Sequence, residues 1–88
     1  MDRLDAPVAL GIAVRQGRLR LGYSQESFAD LLGMHRTQLG HIEQGKKDCR
    51  LSTIVRIATS LGMPASTLLA EAEMAVTVAG ATVPGRSS

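Results

Sequence analysis

The stretch from Ser24 to Gly45, SQESFADLLGMHRTQLGHIEQG, leaves few folds open to this chain. It reads as two short helices, about Gln25 to Leu32 and about Arg36 to Gln44, meeting at Gly33. A turn that sharp often needs a positive φ, which glycine takes without steric cost. Phe28, Ala29 and Leu32 share one face of the first helix of the pair, and Leu39 and Ile42 share one face of the second. Ala29 is small enough for the second helix to cross close to it, with Met34 filling the angle between them. With that inner face occupied, Arg36, Thr37, Gln38 and His41 are expected to point outward. They are donors and acceptors suited to base edges or phosphates. As residues alone they would equally suit the solvated side of a strut.

From about Leu10 to Leu69 the chain resembles the lambda-repressor-like, XRE-type helix-turn-helix family of bacterial and phage regulators. The resemblance rests on Arg18 in the first helix, Ser24-Gln25 opening the second and Gly33 at the turn. Glu43-Gln44-Gly45-Lys46 then closes the third, and an aliphatic fourth helix runs from Leu51 to Leu61-Gly62. It implies an all-α domain of five helices with the helix-turn-helix formed by helices two and three. It further implies that the third helix enters the major groove of double-stranded DNA. Arg36, Thr37, Gln38 and His41 would then stand at base edges, and Gln25, His35, Lys46 and Lys47 on phosphates. The resemblance also supplies a partner for Arg18, a guanidinium on an otherwise apolar stripe: Glu43, in a structural ion pair. Four positions depart from the family pattern. Ser27 replaces a glutamate, which removes the reciprocal capping box. His35 replaces a Ser or Thr cap, so the third helix either starts more loosely or is capped by imidazole. Cys49 and Arg50 replace Pro and Ser, which leaves the start of the fourth helix open by a residue or two.

The remaining elements follow from caps and apolar spacing. Residues 1–7 are expected to be a frayed lead-in. A first helix begins near Pro7 or Val8, because proline suits a first turn, and ends at Gly22, with Leu10, Val14, Gly17, Arg18 and Leu21 inward. Gly17 costs about 1 kcal/mol against alanine in mid-helix and reads as room for a neighbouring helix. Ser24 caps the second helix, Glu26 suits its positive end, and Tyr23 and Phe28 form a hydrophobic staple. Gly45 ends the third helix in the left-handed cap position. Leu51, Ile54, Ile57, Ala58 and Leu61 give the fourth its apolar face, and Pro64 opens a fifth that reaches Ala72 or beyond. The domain is therefore drawn over residues 8–74. Residues 75–88 show no helical stripe and contain Gly80, Pro84 and Gly85. They read either as a flexible tail or as a strand, Val76 to Val83, that pairs with another chain.

Composition narrows the function. The 88 residues make one small domain. Hydrophobic residues are 44% of the chain but aromatics only 2%, so the core must be Leu, Ile, Val, Ala and Met, which favours packed short helices over a β-sandwich. A net charge of +2 does not by itself indicate nucleic acid, but Arg15 to Arg56 holds eight Lys/Arg against four Asp/Glu. Cys49, the single cysteine, has no internal partner, which fits a reducing cytoplasm. No apolar run approaches the roughly 20 residues that span a bilayer, and two acids precede the first apolar stretch, unlike a secretion signal. His35 and His41 lack a third ligand, so neither metal nor cofactor is expected. Without a phosphate loop or a nucleophile–base pair, neither is an enzyme. The expected function is sequence-specific transcription regulation through a palindromic operator bound by a homodimer. The fifth helix and tail would form the dimer surface, since Leu68 and Leu69 cannot both easily point inward. The alternative is a protein-binding module, an antitoxin-type subunit or an adapter, on the same fold.

Overall fold

The computed structural model describes the backbone of residues 5–80 and the side chains of residues 5–75. Five α-helices follow one another: α1 (Ala6–Arg20), α2 (Gln25–Leu32), α3 (Arg36–Glu43), α4 (Leu51–Ser60) and α5 (Ala65–Gly80). Each helix places one large side chain at the fully buried centre: Val14, Phe28, Leu39, Ile57 and Leu68, in chain order. That aliphatic centre with a single phenyl ring is what a chain nearly devoid of aromatics can build. Burying a side chain of this size contributes on the order of 1.5–3 kcal/mol relative to exposure. Among the described residues, no single helix is long and apolar enough to cross a membrane.

The helix ends explain where the elements start and stop. α1 begins at Ala6 because the Asp5 carboxylate accepts a hydrogen bond from the Val8 N–H at 3.4 Å. Asp5 is therefore a cap, although the sequence suggested a frayed lead-in through Pro7. α1 ends at Arg20, and Leu21, expected inward, is 52% exposed. It occupies the C-cap, where the chain is already turning away from the core toward Tyr23. The capping box that Ser27 was expected to lack is present at the start of α2. The Ser27 N–H donates to Ser24 Oγ and the Ser24 N–H donates to Ser27 Oγ, each at 3.0 Å. A serine hydroxyl at that position reaches the backbone amide as a longer carboxylate does. Tyr23 and Phe28 pack with ring centroids 5.4 Å apart, completing the staple.

α2 ends at Gly33, whose φ of 72° lets the Met34 N–H return to the Ala29 carbonyl at 3.0 Å. His35 precedes α3 and makes no side-chain cap bond, so the imidazole does not replace the usual hydroxyl. α4 starts at Leu51 without a side-chain cap from Arg50. Leu51 itself, expected on the apolar face, is 68% exposed. It opens the helix nearly two turns before Ile57 and Ala58, the first α4 residues that the core fully covers. α5 extends past the expected boundary: residues 75–80 are helical, so neither the tail nor the strand describes them, and residues 81–88 lie outside the described residues.

Packing of α1 sets the position of α3. A methyl group on Gly11 would lie 2.5 Å from the carbonyl oxygens of both Ile42 and Glu43, so α1 and the end of α3 touch backbone to side-chain-free backbone. Gly17 makes room for the Leu61 methyls at the end of α4, where a methyl of its own would meet them at 3.0 Å. Arg56 ties α4 to α2 by donating to the Leu32 carbonyl at 3.3 Å, one of the carbonyls that a helix end leaves unpaired.

Candidate nucleic-acid interface

Behind the exposed face of α3 lies an ion pair that fixes it. Arg18 Nε donates to Glu43 Oε2 at 2.7 Å and Nη2 donates to Oε1 at 3.0 Å, a bidentate arrangement. Arg18 Nη1 donates to the Tyr23 carbonyl at 2.8 Å. Both residues are buried, at 6% and 7% exposure. Glu43 stands at the C-terminus of α3, where the helix dipole disfavours a carboxylate, and the guanidinium supplies the compensating charge. Gln25 Nε2 also donates to Glu43 Oε1, at 3.1 Å. One carboxylate therefore joins α1, the start of α2 and the end of α3.

Leu39 and Ile42 point inward from α3, and Arg36, Thr37 and His41 point into solvent. Gln38, expected beside them, is half-buried instead. It lies one turn before Ile42, and both side chains line a polar cleft of about 390 Å³ between α3 and the start of α4. His35, Lys46 and Lys47 are exposed at the two ends of α3. Gln25 is half-buried, its nitrogen turned toward Glu43 rather than freely outward. The outward face of α3 carries no carboxylate, because its one acid, Glu43, is buried and paired.

The same cleft adds Thr53 and Arg56, which the sequence did not single out, to Lys47 of the expected phosphate contacts. Lys47, Arg50, Thr53 and Arg56 line it along with Cys49 and the single acid Asp48. The signal was present in the spacing of Arg50, Thr53 and Arg56, three residues apart from the N-cap of α4 onward, a polar row beside the apolar one. Burial pushes the Cys49 thiol above its ordinary range, Asp48 adds to the rise, and Lys47 opposes it. Among the described residues, no group of three His, Cys, Asp or Glu side chains could hold a metal ion.

A buried strut, a left-handed turn and an outward helix rich in donors define the helix-turn-helix class of DNA-binding domain. The chain belongs to the helix-turn-helix family, whose domain model matches residues 9–72 and whose Cro-type regulators share its architecture. It is 33% identical over 66 residues to the control protein C.SmaI of Serratia marcescens, covering 75% of this chain and 79% of that protein. The fold matches the restriction-modification controller protein C.AhdI of Aeromonas hydrophila with a TM-score of 0.67 and 34% identity. That match covers 70% of this chain and 94% of C.AhdI. The clp gene regulator ClgR of Corynebacterium glutamicum superposes with a TM-score of 0.76 at 25% identity, over 83% of this chain and 94% of ClgR.

Proposed function

We propose that the chain is a sequence-specific, non-enzymatic transcription regulator of the cytoplasm that binds a palindromic operator as a homodimer. The observation that carries this reading is the outward face of α3, which offers Arg36, Thr37 and His41 with no exposed carboxylate among them. In this reading α3 lies in the major groove with Arg36 and Thr37 at base edges near its N-terminus, and Gln38 and His41 at neighbouring positions. Lys46, Lys47, His35 and Gln25 hold the backbone and set the register. A palindrome follows from the small footprint of one module, with half-sites about 34 Å apart on one face of the duplex. The relatives named as a control protein, a controller protein and a gene regulator support the regulatory role.

The test separates reading from holding. Selection from random duplexes yields the preferred site, and Arg36→Ala then lowers affinity for it by about 1–3 kcal/mol and relaxes preference at one base pair. Lys47→Ala weakens selected and random duplexes nearly alike and lowers the slope of log K against log salt by about one unit. Both substitutions remove one positive charge, so only position relative to the groove distinguishes them. Equal losses on every sequence would show that α3 does not read bases. The exposed apolar side chains of α4 and α5 also suit a protein-binding adapter, and failure to enrich any site at low salt would favour that role instead.

A further inference from the structure

Inside a helix, glycine is a worse choice than alanine unless something needs the missing side chain. Six of the seven glycines from Gly11 to Gly62 have their reason within the chain. Gly22, Gly33, Gly45 and Gly62 hold a left-handed φ, Gly11 meets the carbonyl oxygens of Ile42 and Glu43, and Gly17 meets Leu61. Gly40 has no such reason. It lies in the middle of α3 and is not among the glycines of positive φ. The nearest atoms to a methyl placed on it are the two ends of the Gln25 amide, at 4.0 Å, an ordinary van der Waals separation. Alanine fits there without displacing any protein atom.

The position is nonetheless on the working side of the helix. Gly40 follows Arg36 by one turn, precedes exposed His41 and is itself half-buried beside Gln25. Gln25 is held by Glu43, which is in turn held by Arg18. One wall of this notch is therefore anchored to the core, and its floor is bare helix backbone. We propose that Gly40 is kept bare for DNA. The notch admits the duplex surface to van der Waals contact with α3, and a methyl group at position 40 holds the recognition helix off the groove. This inference rests on the DNA-binding reading and adds a residue that acts through the side chain it lacks.

The experiment compares the full chain with Gly40→Ala on the selected duplex and on a random duplex, with Arg36→Ala alongside. The expected result pairs a melting temperature raised by roughly 4 °C with affinity for the selected duplex lowered about tenfold, the scale of one mismatched base pair. The higher melting temperature removes misfolding as the cause. Loss confined to the selected duplex assigns the notch to a base-pair edge, and equal loss on the random duplex assigns it to the sugar–phosphate backbone; both support close approach. If Gly40→Ala melts lower than the parent chain, the glycine serves the free fold and the inference is overturned. It is also overturned if Gly40→Ala binds as tightly as the parent while Arg36→Ala does not, and the DNA-binding reading then survives. If Arg36→Ala binds like the parent as well, that reading fails too.

Discussion

Glu43 is the residue at which fold and interface meet, because one carboxylate accepts from Arg18 on the core side and from Gln25 on the interface side. Removing one partner of a buried ion pair strands the other and typically costs about 3–5 kcal/mol, a large share of what a domain this small holds in reserve. Arg18→Met and Glu43→Leu are each expected to lower the urea midpoint sharply, and the double substitution to be milder than either alone. Strictly additive losses in that cycle would contradict the coupling. The odd placement of Arg18 was legible in the sequence because a guanidinium on an apolar stripe demands a partner. The turn of Gln25 toward Glu43 was not, since a glutamine opening a helix reads equally well facing out. Cys49 gives a second check at this scale. Its thiol is held above the ordinary range chiefly by burial, so the thiolate fraction near neutral pH is smaller in the native chain than in the unfolded one. Alkylation by iodoacetamide at pH 8 should run slower on the native protein than on the protein in concentrated urea, and equal rates would show the thiol to be open.

At the scale of elements, α1 governs how α3 is presented, and two glycines in one helix should respond differently to the same substitution. Gly11→Ala drives a methyl into the backbone carbonyls of Ile42 and Glu43, which cannot rotate aside. The expected loss is about 1–3 kcal/mol, the usual range for overpacking. Gly17→Ala meets only the tips of the Leu61 side chain, and alanine's advantage over glycine of roughly 1 kcal/mol offsets that crowding. A near-neutral Gly17→Ala beside a damaging Gly11→Ala in thermal melts supports the close crossing of α1 and α3, and the reverse order contradicts it. The sequence drew attention to Gly17 because it falls on the stripe with Val14 and Arg18. Gly11 lies three residues before Val14, but its neighbour across the crossing is backbone, which leaves no trace in a side-chain pattern. A related blindness shortened α5. Its run from Ala72 onward is apolar on several faces and so shows no stripe, yet the backbone stays helical through Gly80 without one.

The whole molecule carries more apolar surface than one copy covers. Leu68 is fully buried while its neighbour Leu69 is 40% exposed, and Leu51, Val55 and Met74 are exposed on the same two helices, α4 and α5. A groove of about 490 Å³ runs between the start of α1, α4 and α5, lined by Pro7, Leu10, Ile54, Leu69 and Ala72. That one of Leu68 and Leu69 faces outward follows from the sequence argument that two adjacent leucines on a helix cannot easily share one inner face; which of them does is seen only in the fold. The outward Leu51 does not follow from the sequence, because it falls in register with Ile54 and Leu61 and only the end of the core shows it to be uncovered. Leu69→Glu places a charge in the groove without entering the core, so the fold should keep its helical circular dichroism. In the dimer reading, sedimentation should shift toward the monomer mass. Affinity for a palindromic site should also fall far more than affinity for an isolated half-site, because the second half no longer binds as part of one ligand. Arg36→Ala should do the opposite, leaving the mass unchanged and weakening both duplexes. A Leu69→Glu protein that keeps the parent's mass and its preference for the full palindrome would remove α5 from the assembly, and the groove would then have to be explained without a second copy.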